Sequence, residues 1–302
     1  MLSLRQHIET NGGIFLSLLI FLISCLCSLF SGVIWHDIHY IKTRRLRIRS
    51  GKIRKEIRFA VISDLHGRKY GEDNRELIER IRKEQPDAVL MVGDIMTAKD
   101  LGYSIPGSVD TAETLIRELA KDVPVYFAIG NHEARVRWRP DKFSFTYRDM
   151  LQRFRKAGAV VLSNESTILE EYGIRLSGLD LPEFFYNGRN RILPPEYISA
   201  KVGARRKDLY NILLAHNPAH IPVYARWGAD LSFSGHYHGG IMEIPGLGGV
   251  INPRLQIFPR FTGGVYRECG HTQIVCRGIG EHTFPIRVFN PVELLIVELK
   301  KA

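Results

Sequence analysis

The sequence predicts an α/β domain preceded by one N-terminal transmembrane helix, and three observations support this fold class. Residues 14–34 are a continuous apolar run without a charged side chain. From residue 57 onward, short apolar stretches typical of strands alternate with segments of helical periodicity. Five of the predicted strands end directly in Asp, Asn or His, which collects polar side chains at one edge of a sheet.

Composition and charge narrow the class of protein further. The 302 residues are 45% hydrophobic and 25% charged, which excludes a disordered chain and a polytopic membrane protein. The formal charge is +10, and nine basic residues against two acidic ones between residues 36 and 58 supply +7 of it. Because the rest of the chain is nearly neutral, we do not expect a nucleic-acid partner.

The apolar run at residues 14–34 is 21 residues long, about the length that spans a bilayer as a helix. The alternative is a cleaved signal peptide, which usually has a shorter apolar region, more basic residues before it and a small-residue cleavage site after it. Before the run, the only positive charges are those of Arg5 and the amino terminus. Trp35 follows the run, where an aromatic residue would lie in the membrane interface. We therefore interpret residues 1–13 as a short tail and residues 14–34 as an uncleaved anchor.

Residues 35–56 form a basic juxtamembrane segment, here called the basic collar. The excess of basic residues after the anchor favours a single-pass protein of the cell membrane with its large domain on the cytoplasmic face. Alternation of Arg45, Arg47 and Arg49 with apolar residues predicts a strand, and a turn at residues 50–51 leads into a second one. Two interpretations of these arginines stay open: contact with anionic lipid headgroups, or the solvated face of a strand.

Residues 57–302 form the predicted globular domain, and no linker within it is long enough to divide it. The order of elements predicts a layered α/β domain, with more direct strand-to-strand connections near its carboxyl end than a purely parallel sheet has. Strands are predicted at 57–63, 88–92, 125–129, 159–162, 170–177, 211–215, 231–234, 272–276 and 292–299. Helices are predicted at 75–83, 111–120 and 150–156.

The chemistry-bearing residues follow five of these strands. The segments are Ser63-Asp64-Leu65-His66-Gly67, Gly93-Asp94, Gly130-Asn131-His132-Glu133, Ala215-His216-Asn217 and Gly235-His236-Tyr237-His238-Gly239. Carboxylate and imidazole groups without cysteine suit Mn, Fe or Zn and do not form a structural thiolate zinc site. Eight candidate groups exceed the needs of one metal ion and suffice for two. Each motif alone is common by chance, whereas the ordered series is not.

In this series the sequence resembles the calcineurin-like metallophosphoesterase family, and it looks most like the bacterial membrane-anchored branch. The resemblance covers essentially residues 57–300, and its closing features include Gly239-Gly240, the segment 277–280 and Asn290-Pro291. It implies a two-sheet sandwich flanked by helices, with a dinuclear metal centre at the strand ends. It also implies a hydrolase of phosphate esters that needs two divalent ions.

The resemblance further implies a role for each residue. Asp64, His66 and His238 would hold the first ion, and Asp94 would bridge both. Asn131, His216 and His236 would hold the second ion. His132 would be catalytic, donating a proton or a hydrogen bond near the scissile phosphate. Glu133 could orient His132, or it could be an acidic residue on a surface loop.

Two stretches between the third and fourth motifs mix basic and aromatic residues. They are 135–147, with Arg135, Arg137, Trp138, Arg139, Lys142, Phe143, Phe145 and Tyr147, and 184–191, with Phe184, Phe185, Tyr186, Arg189 and Arg191. One interpretation is a lid that recognises the substrate, since Arg suits phosphate and exposed aromatic rings suit an acyl chain or a membrane interface. The other is a solvated loop with a few buried rings.

The function expected from these observations is hydrolysis of a phosphodiester or pyrophosphate bond at a membrane, in a phosphate-containing and lipid-linked substrate. The partners would be membrane lipids, contacted through the anchor and the basic collar. An alternative is a phosphodiesterase of small soluble or cell-wall-derived phosphates. A non-catalytic membrane adaptor is disfavoured, because every expected ligand and His132 are present.

Overall fold

The computed structural model describes residues 2–98, 107–186, 193–244, 246–251, 256–281 and 285–302, with residues 2–14 described by their backbone alone. The helices in these ranges are α1 Leu2–His39, α2 Arg75–Lys83, α3 Ser108–Leu119, α4 Asn131–Trp138, α5 Tyr147–Lys156, α6 Tyr197–Val202 and α7 Ile221–Trp227. The first strands are β1 Lys42–Ser50, β2 Ile57–Ile62, β3 Ala88–Val92, β4 Val125–Ala128, β5 Ala159–Leu162, β6 Glu165–Leu169 and β7 Ile174–Leu179. The others are β8 Tyr210–Ala215, β9 Leu231–Ser234, β10 Met242–Ile244, β11 Gly248–Ile251, β12 Gly264–Glu268, β13 His271–Val275 and β14 Glu293–Lys301.

Helix α1 contains the apolar run. Its segment Phe15–His39 is long and apolar enough to cross a membrane, and none of its most apolar part is buried against the domain. A signal sequence near an N-terminus has the same length and apolar composition. The helix ends on the globular domain, where the Asp37 carbonyl oxygen accepts a hydrogen bond from Val292 N (3.0 Å).

The domain is built on two six-stranded mixed sheets. The first sheet has the order β1-β14-β2-β3-β4-β5, and the second has the order β12-β13-β9-β8-β7-β6. Strands β10 and β11 form a separate two-stranded sheet. The α/β class and the two-sheet sandwich flanked by helices, preceded by an apolar N-terminal helix, are thus confirmed.

Alternation along the strands explains the layers. In β2, Phe59 and Val61 point into the core between the two sheets, where they pack with residues such as Phe233. Ala60 and Ile62 point the other way, into the core between the first sheet and α2, α3 and α5. A third apolar cluster lies between the second sheet and α6 and α7. Both sheets are therefore covered on both faces.

The basic collar joins the first sheet directly. Strand β1 pairs in parallel with β14 over nine residue pairs, from Lys42↔Glu293 to Ser50↔Lys301. Strand β2 pairs with the other side of β14, so β1 and β2 do not form a hairpin. The folded domain thus includes residues 42–50, which lie before its predicted start at Ile57.

Most basic side chains of the collar contact acidic side chains of the domain. Five of its eight basic residues form ion pairs: Arg44 with Glu293, Arg45 with Glu84, Arg47 with Glu298, Lys52 with Asp230 and Lys55 with Glu171. These pairs favour the solvated-face interpretation of β1 over a row of free lipid-binding arginines. Lys42 and Arg49 are exposed, and the described residues offer them no acidic partner.

The predicted strand at 170–177 differs from the structure. Residues Glu170–Tyr172 form a turn of 3-10 helix, and β7 begins only at Ile174. Gly173 between them adopts φ +68°, a left-handed conformation that ends the turn and that glycine adopts without steric cost.

Candidate metal centre

Parallel pairing brings the five motifs together. Strands β2, β3 and β4 are parallel neighbours in the first sheet, and β8 and β9 are parallel neighbours in the second. Each motif is the loop that leaves the carboxyl end of one of these strands. The two sheets present these ends at the same side of the sandwich, so the predicted side chains converge there.

The ligand atoms form three overlapping clusters, and within each the atoms lie within 4.8 Å of one another. The clusters are Asp64, His66 and His238; His66, Asp94 and His132; and Asp94, His216 and His236. The first cluster contains the three residues predicted for one ion, and the third contains His216 and His236, predicted for the other, together with Asp94. Asn131 and His132 are the first two residues of α4, and Asn131 Oδ1 is buried without a hydrogen-bond partner in the described part of the chain.

Five residues of the site have a strained backbone conformation, and this conformation sets the direction of their side chains. Asp64, His66, Asp94, His236 and His238 all have φ between +52° and +74°. Residues other than glycine rarely adopt this region, and each such residue costs on the order of 1–3 kcal/mol. The surrounding fold therefore holds a conformation that the isolated loops would not adopt.

Glycines keep the carboxylates close to neighbouring backbone. A Cβ on Gly130 would lie 2.2 Å from Asp94 Oδ1, and one on Gly235 would lie 2.2 Å from Asp64 Oδ2. Any side chain at either glycine would displace a carboxylate from the site. Steric exclusion thus explains why glycine precedes Asn131 and His236 in these motifs.

The ring of His216 lies beside two buried carboxylates, where a positive charge would be stabilised. Its Nδ1 donates a hydrogen bond to the Val92 carbonyl oxygen (2.7 Å), so in the neutral ring Nε2 carries a lone pair. That Nε2 lies 3.0 Å from Asp94 Oδ2 and 3.7 Å from Asp64 Oδ1. A lone pair facing two buried carboxylates is repulsive unless a cation or a proton lies between them.

The pKa values of the cluster also indicate that the site favours positive charge. Burial opposes charge on His216, but Asp94 and Asp64 outweigh it and raise its pKa to about 10. Burial raises the pKa of Asp64 to about 6. Burial also acts to raise the pKa of Asp94, yet the imidazoles of His216 and His132 hold it well below its ordinary value. The site therefore attracts positive charge, and its donors fit divalent ions that accept oxygen and nitrogen ligands.

His132 is oriented differently from the other imidazoles. Its Nδ1 accepts a hydrogen bond from the backbone N–H of Ala98 (2.9 Å), which in the neutral ring leaves the proton on Nε2. This Nε2 lies 3.9 Å from Asp94 Oδ2. The ring thus presents a donor, and not a lone pair, to the centre of the site.

Glu133 is buried and does not lie on a surface loop, so that expectation is wrong, and its carboxylate contacts backbone groups and not the ring of His132. Its carboxylate is buried and accepts hydrogen bonds from the backbone N–H groups of Asp94 (2.8 Å), Ile95 (2.9 Å), Met96 (3.1 Å) and Gly130 (3.0 Å). Burial and the charge of Asp94 raise the pKa of Glu133 to about 7. Its role is to tie the loop after β3 to the loop after β4.

A second support for the site, which no sequence pattern predicted, lies in the segment before β14. Asn290 Nδ2 donates to the carbonyl oxygens of His238 (2.7 Å) and Gly240 (2.6 Å). The buried Arg287 donates to the carbonyl oxygens of His238 (3.2 Å) and Gly280 (2.8 Å). The Asn290 N–H itself donates to the Asp37 carboxylate at the end of α1 (2.8 Å). The only sequence signals were the residues themselves, because no local pattern links positions 37, 238 and 290.

Several side chains of the basic-aromatic stretches contact other parts of the domain. Arg137 forms an ion pair with Asp180 (2.7 Å) and Arg139 one with Glu183 (2.7 Å), so these guanidinium groups are already engaged. Tyr186 is buried, with its ring 5.2 Å from the ring of His236, and therefore forms a wall of the site. Arg189 and Arg191 lie outside the described residues. The solvated-loop interpretation thus fits the described part better than a free lid.

Comparisons with known proteins agree with this geometry. The model of the calcineurin-like phosphoesterase family matches residues 57–240. The chain is 28% identical to an uncharacterized metallophosphoesterase of Aquifex aeolicus (strain VF5), covering 87% of this chain and 94% of that protein. It is 25% identical to the uncharacterized metallophosphoesterase YkuE of Bacillus subtilis (strain 168), covering 87% and 86%. It is 24% identical to the phosphodiesterase YaeI of Escherichia coli (strain K12), covering 72% of each.

The family match spans more than half of the chain and contains all five motifs. It also agrees with the two-sheet architecture and with the His/Asp clusters at the strand ends. This chain belongs to the calcineurin-like phosphoesterase family and is a metallophosphoesterase, a hydrolase of phosphate esters.

Proposed function

We propose that the protein is a membrane-anchored hydrolase that uses two divalent metal ions to cleave a phosphodiester or pyrophosphate bond in a lipid-linked substrate. One observation carries the metal part of this proposal. Clusters of Asp and His ligand atoms adjoin one another at the strand ends, and His216 Nε2 lies 3.0 and 3.7 Å from two buried carboxylates. A proton or a cation must balance these carboxylates, and the oxygen and nitrogen donors suit a divalent ion.

We assign the ligands as follows. Asp64, His66 and His238 would hold one ion, Asn131, His216 and His236 would hold the other, and Asp94 would contact both. The ions would be Mn, Fe or Zn, whose ligand preferences this donor set meets. When bound, a pair of divalent ions polarises the phosphoryl group and lowers the pKa of a water molecule. The protein residues orient the phosphate and exclude bulk water around it.

His132 is the catalytic hydrogen-bond donor in this proposal. The backbone N–H of Ala98 occupies its Nδ1, so the neutral ring keeps its proton on Nε2 and can donate a hydrogen bond to the departing oxygen as negative charge develops there. Removing one preorganised donor to a developing negative charge typically costs about 10²–10³ in rate. Because the donor tautomer is set by a backbone group, it does not depend on the ionisation of a neighbouring side chain.

The lipid-linked class of substrate is supported by α1. A helix that is long and apolar enough to span a bilayer would keep the site at the membrane surface, where lipid-linked phosphates are found. The basic residues that follow it favour the cytoplasmic face for the domain. Since most basic residues of the collar are ion-paired with the domain, only exposed ones such as Lys42 and Arg49 are proposed to contact anionic headgroups.

Phosphodiester cleavage of small soluble or cell-wall-derived phosphates is the second candidate. The similarity to a protein named as a phosphodiesterase supports a phosphodiester bond in either candidate. This candidate needs the same metal centre and the same role for His132. It differs only in where the substrate is found.

The test compares substrates of both classes with the full-length protein in vesicles. Hydrolysis of a chromogenic phosphodiester with added manganese tests the reaction, and His132→Ala serves as the inactive control. Lipid extracts are then incubated with each protein and compared by mass spectrometry. Loss of a phosphate-containing lipid with the wild-type protein alone supports the lipid-linked class. Hydrolysis of the chromogenic ester with no change in any lipid favours the soluble class.

A further inference from the structure

A small layer of four extended segments projects beside the metal centre, and we call it the apolar layer. It consists of β10, β11, the connecting residues Gly246 and Leu247, and the segments 256–258 and 286–289. Met242 bridges to Val288 on one side of the β10–β11 pair, and Ile251 bridges to Ile257 on the other. The layer lies outside both six-stranded sheets.

The exposed side chains of this layer are apolar, whereas an ordinary surface sheet exposes polar ones. Its outward side chains are large and apolar, and the most exposed are Ile244 (40%), Leu247 (64%), Ile257 (71%), Phe258 (58%), Ile286 (41%) and Phe289 (48%). The charged Glu243 points the other way and forms an ion pair with Arg277 (2.6 Å). A contiguous apolar surface on a soluble domain marks a site of interaction.

The layer is fixed next to the end of the apolar helix. Asn290, which follows Phe289, donates its backbone N–H to the Asp37 carboxylate at 2.8 Å. Trp35 and Tyr40, at the same end of α1, are exposed by 66% and 51%. Aromatic residues at this level of a spanning helix lie in the membrane interface. Through Asn290, the end of the layer at Phe289 is therefore tied to Asp37, two residues after Trp35.

The charges of the layer suit a lipid surface. Within residues 241–260 and 285–290, Glu243 is the single acidic residue in the sequence, and its partner Arg277 neutralises it. The exposed side of the layer thus presents no negative charge to the anionic headgroups of a cytoplasmic leaflet. A second copy of the chain has no such argument in its favour.

The layer is also joined to the metal centre. Strand β10 begins four residues after His238, and the Asn290 side chain holds the carbonyl oxygens of His238 and Gly240 together. The layer is therefore held in register with the site by the same hydrogen bonds that position a proposed ligand.

From this juxtaposition we propose that the apolar layer is a membrane-docking surface, which inserts its exposed side chains into the bilayer interface and turns the metal centre toward lipid headgroups. The inference rests on the anchoring proposed above and deepens it, because it gives the domain a second and orienting contact with the membrane. An anchor alone would leave the domain free to rotate about the end of α1. Docking of the layer would fix which side of the domain meets the substrate.

The test places an environment-sensitive fluorophore at single cysteines of the full-length protein in vesicles of phosphatidylglycerol and phosphatidylcholine. The exposed Cys25, Cys27 and Cys269 are first replaced by serine. Leu247→Cys and Ile257→Cys then report on the layer, and Leu22→Cys reports on α1. Val160→Cys is the matched control, because it is 43% exposed on β5, at the edge of the first sheet opposite β1. Cooperative thermal unfolding is checked for every labelled protein.

Nitroxide groups on the lipid acyl chains should remove about half of the emission at positions 247 and 257, because interfacial side chains lie about 5–10 Å below the headgroup boundary. The label at position 160 should lose little emission and should be quenched by aqueous iodide. If the label at 22 is quenched and those at 247 and 257 behave like the label at 160, the docking surface is refuted while the anchor stands. If the labels at 247 and 257 are quenched and the one at 22 is not, the surface stands and the anchor fails.

Two further outcomes overturn the inference. Labels at 247 and 257 that are shielded from iodide but insensitive to the nitroxide lipids would show that protein, such as a second copy of the chain, covers the layer. Absence of lipid quenching at 22, 247 and 257 together would refute both the docking surface and the anchor.

Discussion

At the scale of single residues, Glu133 shows how much of the site depends on a side chain that touches no substrate. Its carboxylate is the acceptor for four backbone N–H groups in the loops after β3 and β4. Asp94 lies in the first of these loops, and the second leads into Asn131 and His132 at the start of α4. The geometry of three proposed functional residues is therefore set by one buried acid.

We predict that Glu133→Ala lowers the free energy of unfolding by about 3 kcal/mol or more, because each buried donor left unpaired costs about 1–3 kcal/mol. Chemical denaturation of the metal-free protein measures this change. Glu183→Ala is the matched control, since Glu183 forms a surface ion pair with Arg139 and such pairs are worth about 0–1 kcal/mol. Equal losses in the two variants would mean that Glu133 does not organise the loops.

His132→Ala should keep its metal ions and lose rate. The expected loss in kcat is about 10²–10³-fold, the usual cost of removing one hydrogen-bond donor from a developing negative charge. Metal analysis and steady-state kinetics on the same preparation separate the two effects. Loss of metal from this variant would make His132 a ligand and would remove it from the catalytic role.

Sequence alone could predict the polar residues at the strand ends but not their supports. Asp64, Asp94 and His216 were predictable because apolar strands lead directly into them. The burial of Glu133 was not, since four acceptor contacts with backbone groups leave no pattern in the chain. The link from Asp37 to Asn290 spans 253 residues, and no local rule connects such positions.

At the scale of elements, β1 shows why the basic collar was difficult to interpret. Its alternating arginines correctly predicted a strand, but pairing with the last strand of the chain depends on tertiary structure. The buried Ile41 and Ile53 on either side of β1 belong to the apolar cores. The collar is therefore structural as well as basic.

We predict that a chain comprising residues 35–302 is soluble and unfolds cooperatively, whereas one comprising residues 55–302 aggregates. The shorter chain lacks β1 and exposes the edge of β14, a strand with Leu294, Leu295 and Ile296 in its first half. Size-exclusion chromatography and thermal unfolding compare the two. Equal melting temperatures and monodisperse profiles for both chains would show that β1 contributes nothing to the fold.

Long periodic elements were predictable, and short irregular ones were not. The bounds of α2, β3 and β9 agree with those expected from apolar periodicity. The strands β10, β11 and β12 were missed because glycine and proline interrupt their apolar pattern. Their pairing is set by the neighbouring segments and not by their own periodicity.

At the scale of the whole molecule, the sandwich serves to bring the carboxyl ends of strands from two sheets to one place. Neither sheet alone contains a full ligand set, because Asp64, His66 and Asp94 follow strands of the first sheet and His216, His236 and His238 follow strands of the second. Packing of the two sheets through a shared apolar core is therefore a condition for metal binding.

The central claim is that this composite site holds two ions joined by Asp94. The most direct test is the metal content per chain after dialysis against manganese, measured on the wild type, on Asp94→Asn and on Asp230→Asn as a control whose carboxylate pairs with Lys52 outside the clusters. We predict about two ions per chain in the wild type and the control, as expected for a two-metal hydrolase, and fewer than one in Asp94→Asn, with loss of turnover. Retention of both ions and of normal turnover by Asp94→Asn would contradict the account.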